Sequence, residues 1–433
     1  MTSDWPENEL QEDDFHLPPL PEPADRNIAL GVHRGAQRAL RQGHPWIYAQ
    51  AIERQSHEGQ PGDLAVIFDH RRRFLAIGLY DPTSAIRVRV LHHGQSTPIN
   101  LDWFRQMIAA ALVRRAPLQD DPRTSGYRLI HGENDGMPGL VLDRYDNTCV
   151  LKLYTVAWIP YLAQLAPVLV AMSDAKRLVL RMSRAVADQD AFLYGLEPGQ
   201  TLYGPPPDAP VEFMENGLRF AADVVHGQKT GFFFDHRHNR ARVESLARDR
   251  DVLNLFAYSG AFSLYAARGG ARRVVSQDLS GPALAAAQEN FTRNRDDARI
   301  AAPEHDLLEG DAFEALRALR GGGKIARQTF DLIVVDPPSF AASMDDVPRA
   351  LQAYERLARG ALRLLNPGGL LIMASCTARV TPEQFYRTIL GSAGAEGFAL
   401  EVIARSGHAL DHPVGFAEGR YLKCLFARLV DGP

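Results

Sequence analysis

The sequence predicts an α/β fold: a mainly parallel sheet with helices on both faces in the second half, preceded by a small β module and a small α+β unit. From Asp251 onward, apolar β-rich runs (DVLNLFAY, RRVVSQD, FDLIVVD, GLLIMAS) alternate with helical stretches such as GPALAAAQENFTRN and VPRALQAYERLARGALRLL. That alternation specifies a parallel sheet covered on both sides. Residues 26–100 read instead as short strands joined by tight turns. The length of 433 residues, at ~150 residues per domain, agrees with about three domains.

Composition limits the functional classes. With 45% hydrophobic and 23% charged residues the chain can bury a substantial core, which excludes a disordered, collagenous or fibrous protein. Cys149, Cys376 and Cys424 are an odd, sparse set without CxxC spacing, which argues against a disulfide framework and a structural zinc site. No metal is expected. A cleavable apolar leader is missing, and the most apolar stretch, 158–172, is broken by Pro160, Gln164 and Pro167. A cytoplasmic protein without a membrane span is expected. Residues 1–25 hold eight acidic residues, five prolines and no Lys or Arg, so the net charge of −4 becomes +4 without them. With so little apolar content, they are expected to form a disordered, solubilising tail.

Residues 26–100 carry GDLAVIF, RRFLAIGLY and AIRVRVL as strands, with ten Lys/Arg against five Asp/Glu. The tip Arg71-Arg72-Arg73 suits phosphate contacts, although hairpin tips are commonly charged simply because they are solvated. Residues 101–204 form the second unit: a connecting helix ending near Pro117, strands near 139–144 and 149–154, a helix near 161–172 and a strand at 177–182. Within it the GENDG loop, 132–136, reads as turn chemistry rather than a metal loop, since EF-hand spacing is absent. The proline run at 205–207 marks the start of the third domain, 205–433.

Ligands in such sheets bind where parallel strands end. After the first run, Asn254, Phe256, Ala257, Ser259 and Gly260 lie on a small-residue turn entering a helix. It has one glycine rather than GxGxxG, which argues against a dinucleotide. Asp278 ends the second run and suits both hydroxyls of a ribose. Asp311 is a further strand-end acid that also suits a helix cap. Together they describe a nucleoside cofactor without phosphates, and S-adenosylmethionine fits best. Asp336 and Pro337 open the segment DPPSF, whose prolines fix the strand end. Phe340 there offers a stacking surface for a base, a contact worth ~1–3 kcal/mol, or else a core contact. Cys376 follows the GLLIMAS run. A thiolate there suits addition to carbon 6 of a pyrimidine, which makes carbon 5 nucleophilic toward a sulfonium methyl. Cys149 and Cys424 lie inside predicted strands and read as core.

These stretches resemble the PUA-domain-containing, S-adenosylmethionine-dependent ribosomal RNA methyltransferases, in particular the bacterial branch that makes 5-methylcytosine in large-subunit rRNA. The likeness runs through GHPWIYAQAI, YRLIHGENDGMPGLVLDRYDN, HGQKTGFFFDHRHNR, NLFAYSGAFSL, VVDPPSF, ASCT, DHPV and GRYLK. It implies a PUA-like β-barrel at 26–100 that binds RNA, a central α+β domain at 101–204, a Rossmann-like class I methyltransferase domain at 205–433, and a homodimer. It also implies Cys376 as nucleophile, Asp278, Asp311 and Asp336 at cofactor or pocket positions, and Lys229, Thr230 and Gly231 beside the cofactor. Ser339 departs from the pattern, since a cytosine enzyme of the family has lysine there. The expected activity is methyl transfer to carbon 5 of a cytosine in large-subunit rRNA through a covalent Cys376 adduct. Alternatives are a guanine or base-amine methyltransferase that does without the cysteine, and a noncatalytic RNA-binding assembly factor.

Overall fold

The computed structural model describes residues 14–321 and 327–431. They form two compact units. The first holds the chain up to Gly217 together with Ala222–Phe234 and Leu410–Phe416; the second holds Leu218–Ala221, Asp235–Ala409 and the chain from Ala417. The residues expected as a third domain, 205–433, are thus divided between the two units, with 205–217, Ala222–Phe234 and Leu410–Phe416 in the first.

The first unit contains two sheets. One has six strands in the order Trp46–Tyr48, Ile86–His93, Phe74–Tyr80, Leu64–Phe68, Ile28–Val32 and Ile52–Gln55. Alternation puts Ile28, Leu30, Val32, Ala65, Ile67 and Val88 in one core. The expected all-β module also contains a helix, Arg34–Arg41, capped by His33, whose Nδ1 accepts from Ala36 N. Its sequence RGAQRALR buries only Gln37 and Leu40, too few apolar positions for periodicity to reveal.

The other sheet runs Thr201–Tyr203, Arg177–Met182, Thr148–Leu153, Leu140–Tyr145 and Gly126–His131. Leu129, Leu142, Leu151, Leu178 and Leu180 share a core with Phe104 and Ile108 of helix Leu101–Gln119 and Leu165 and Leu169 of helix Leu162–Ser173. The first of these helices runs past Pro117 to Gln119. A proline so near the end disturbs only one turn, and Asp120 N still reaches Ala116 O at 2.8 Å. The segment Val156–Ser173 is long and apolar enough to cross a membrane, yet its side chains pack in this core.

Residues 14–25 depart from the expected disordered tail. Phe15 bridges Tyr203 with ring centroids 4.9 Å apart, His16 N donates to Leu202 O, and Leu17 and Leu20 pack on the central core. The sparse apolar residues of the acidic segment are thus used as anchors. The remainder of that expectation, residues 1–13, lies outside the described residues.

The GENDG loop is a tight turn with Gly136 at φ +75°. Its Asp135 is buried between Arg115 and Arg114 and accepts from His131 N at 2.7 Å. The carboxylate is committed to guanidinium groups, and among the described residues no cluster of His, Cys, Asp and Glu suits a metal.

The second unit is built on seven strands: Glu304–Glu309, Arg273–Asp278, Asp251–Leu255, Phe330–Val335, Leu365–Ser375, Lys423–Asp431 and Ala399–Ser406. The first five are parallel, whereas Lys423–Asp431 runs antiparallel to both neighbours. Val252, Leu253, Ile333, Val334, Leu371 and Ile372 are fully buried or nearly so, as expected for central strands between two helical layers.

Candidate active site

Four adjacent parallel strands bring most of the sequence candidates to one edge of the second unit. Strand Asp251–Leu255 leads into Phe256 at φ +59°, Tyr258 at +49° and Gly260 at +75°. Left-handed backbone at two non-glycine residues is strained by ~1–2 kcal/mol each, so other bonds must hold it. Ala257 N donates to Gln277 O, Tyr258 N to Asp278 Oδ2, and Asn290 Nδ2 to Ser259 O, all at 2.8–2.9 Å. At Gly260 a Cβ would stand 2.7 Å from that of Ala287, so only glycine lets the two helices approach this closely. Asn254 is buried with Nδ2 on Ser263 Oγ, while Asn254 Oδ1 and Ser259 Oγ are buried without a hydrogen-bond partner in the protein.

Asp278 ends the next strand. Oδ2 takes the Tyr258 amide, and Oδ1 takes the Ser280 amide at 2.9 Å. Each oxygen retains acceptor capacity. Asp311 caps helix Ala312–Leu319, with Oδ1 accepting from Phe313 N and Glu314 N. The capping reading of this acid is therefore realised, and the residue is exposed.

On the other side of the first strand, Phe330–Val335 delivers Asp336 and the buried Pro337. Asp336 Oδ1 lies 3.3 Å from Nε2 of the buried His236. His236 Nδ1 meets Asn239 Nδ2 at 3.0 Å, and Asn239 Oδ1 accepts from Ser406 Oγ. An amide N–H on Nδ1 leaves the imidazole proton on Nε2, where it donates to Asp336. His236 belongs to DHRHNR and escapes sequence reasoning as a site residue, because nothing in the sequence links it to a strand end so far downstream. Phe340 is half-buried, packed on the core with its ring 5.2 Å from Tyr354. Its core reading holds for at least part of the ring.

Strand Leu365–Ser375 ends at the half-buried Cys376, whose Sγ is 3.9 Å from Pro337 O. The neighbouring residues are clamped: the buried Tyr354 hydroxyl bonds both Ser375 Oγ and Thr377 Oγ1 at 2.8 Å. Cys149 and Cys424, by contrast, are fully buried and their thiols are pushed up by burial, Cys149 to about 11. Of the three cysteines, only Cys376 is accessible for chemistry.

The other candidates belong to the first unit. Thr230 is buried, and its hydroxyl donates to Asp143 and meets Tyr145 Oη, so that side chain is committed to the protein. Lys229 stands at φ +52° with its ammonium 4.2 Å from the Phe233 ring centroid, and Gly231 stands at φ +124°. Arg71, Arg72 and Arg73 are not equivalent. The buried Asp69 accepts from the amides of Arg71 and Arg73 and pairs with the Arg73 and Arg41 side chains, which holds its carboxyl well below the usual range.

A family model described as S-adenosylmethionine-dependent methyltransferase matches residues 164–416, and a PUA-like domain model matches residues 30–93. The ribosomal RNA large subunit methyltransferase of Deinococcus radiodurans is 45% identical over 406 residues, covering 93% of this chain and 97% of that protein. The chain belongs to the ribosomal RNA large subunit methyltransferase family. The ribosomal RNA large subunit methyltransferase I of Pseudoalteromonas translucida is 33% identical, with 93% and 99% covered. A solved methyltransferase complexed with SAH shares the fold at TM-score 0.75 and 22% identity, with 93% and 99% covered. A second, from Streptococcus mutans, does so at TM-score 0.76 and 22% identity, with 92% and 99% covered. The second unit therefore has the class I methyltransferase fold, and the methyltransferase uses S-adenosylmethionine. Its residues fit that group: Asp278 has a fixed carboxylate, while Asn254 Oδ1 and Ser259 Oγ are buried polar atoms that the protein leaves without a partner.

Proposed function

We propose that this methyltransferase modifies carbon 5 of a cytosine in large-subunit ribosomal RNA through a covalent adduct with Cys376. The reading rests on one observation above all: an accessible thiol stands beside the Asp336-Pro337 segment, while both other thiols are sealed in the core. S-adenosylmethionine supplies an electrophilic sulfonium methyl, with Asp278 accepting the ribose hydroxyls and Asn254 to Gly260 lining the cofactor. The Cys376 thiolate would add to carbon 6 of the ring, so the ring electrons make carbon 5 nucleophilic; carbon 5 would take the methyl as its bond to sulfur breaks, the electron pair staying on sulfur to leave a neutral thioether. Asp336, oriented through Oδ1 by His236, accepts the proton from carbon 5. The electrons of that C–H bond restore the ring double bond and expel Cys376. The half-buried Phe340 offers a surface for the base, and the PUA-like module carries RNA backbone.

The test is an rRNA fragment with 5-fluorocytosine at the target. Fluorine cannot leave as a proton does, so the protein should be trapped on the RNA under denaturing conditions. Cys376→Ser should lose both the adduct and turnover, because a hydroxyl is hardly ionised at neutral pH. Full methyl transfer by folded Cys376→Ser would refute the adduct and favour a guanine or base-amine target.

A further inference from the structure

Lys423 opens the strand that runs antiparallel to Leu365–Ser375, directly opposite Ser375. It is almost fully buried, at 1% exposure. Its ammonium donates to the main-chain oxygens of Thr377 and Val380, and among the described residues it pairs with no carboxylate. Burying a cation is costly unless an anion or a full set of acceptors compensates it. Two neutral carbonyls satisfy two of three N–H donors and none of the charge. The group with which the ammonium is electrostatically coupled is Cys376.

The two acceptors matter as much as the charge. Thr377 follows Cys376 directly, and Val380 N turns back to Thr377 O at 3.3 Å. Lys423 thus ties together the turn that leaves the thiol. Tyr354 holds the same turn from helix Val347–Leu362 through Ser375 and Thr377, and Ser339 Oγ meets Thr377 Oγ1 at 3.2 Å.

We infer that Lys423 is a positioning residue for Cys376: it fixes the turn that carries the thiol and supplies the positive charge that favours the thiolate. Its catalytic purpose rests on the covalent role of Cys376. Arg379 is a second cation on this turn, but it is exposed, where solvent and salt screen its charge. Tyr354 is a phenol pushed up by burial, Cys424 is a sealed thiol and Asp336 is an acid that lies against His236, so none of these three adds a positive charge. Burial lowers Lys423 itself to about 8, so it remains cationic at neutral pH.

Alkylation of Cys376 by iodoacetamide, followed on its own peptide by mass spectrometry as a function of pH, tests this without RNA or cofactor. In the unmodified protein the rate should titrate below the ~8.5 of a free thiol. Lys423→Met should move the titration upward and slow alkylation at pH 7 by about tenfold, the effect of a one-unit shift, while Lys423→Arg retains most of the rate. A wild-type titration at or above the free-thiol value overturns the inference even if Lys423→Met fails to fold. So does an unchanged profile in folded Lys423→Met. Turnover by Cys376→Ser with a normal alkylation profile would instead refute the covalent reaction and leave the thiolate pairing standing.

Discussion

Asp278 holds the Tyr258 and Ser280 amides with separate oxygens, which aims the carboxylate and leaves each oxygen able to accept another hydrogen bond. Asp278→Ala should therefore weaken S-adenosylmethionine binding by about 2 kcal/mol or roughly thirtyfold, the worth of a charge-assisted hydrogen bond. Titration calorimetry measures this, and unchanged affinity in a variant that melts early would make Asp278 structural instead. The residues legible in the sequence were those that a strand end singles out: Asp278, Asp336 and Cys376. His236, Tyr354 and Lys423 escaped because each reaches its partner from another segment, and no local spacing encodes that pairing. Asp311 shows the converse, since the same residue type at a strand end serves as a helix cap.

At the scale of elements, the turn at 69–73 is organised by one buried carboxylate. Arg73 is bound to Asp69, whereas Arg71 contributes its amide and leaves its side chain exposed, as does Arg72 at φ +59°. Replacing Arg71 and Arg72 with Gln should lower the log–log salt slope of RNA binding by about 0.7–0.9 for each phosphate that the hairpin no longer neutralises. Arg73→Gln should chiefly loosen the turn. Equal slopes for wild type and the double variant, measured by fluorescence anisotropy across a salt series, would remove the hairpin from the RNA surface. Strands with continuous apolar runs were readable because both their faces are buried. Glu304–Glu309 (EHDLLE), an edge strand with exposed positions, shows no such run and was legible only through Asp311, the acid expected at its end. The periodic helix Val347–Leu362 was readable, while the mostly polar Arg34–Arg41 was hidden.

For the whole molecule, domain order was legible from composition and alternation, but the return of Leu410–Phe416 to the first unit was not. That return depends on bonds between residues far apart in sequence. Arg115 Nη2 donates to Asp411 O at 2.8 Å, Arg128 N to Asp411 Oδ2 at 3.0 Å, and Gly415 N to Asn134 Oδ1. Asp411 is fully buried, so Asp411→Ala should cost about 3 kcal/mol by leaving the Arg128 amide and the buried His412 Nδ1 short of a side-chain partner, while Arg115 keeps its main-chain acceptor. In calorimetry the first unit should then melt roughly 6–12 °C lower; a melting temperature unchanged within about 2 °C would show that the segment is dispensable. The same feature bears on synthesis. The first unit cannot complete its packing when Gly217 has been made, because its last segment is encoded roughly 200 residues later. At ~5–20 residues per second this is a wait on the order of 10–40 s. During it, Arg115 and Arg128 have yet to receive the acceptors from Asp411, so the nascent chain should remain open to proteases and chaperones until Leu410–Phe416 has been made.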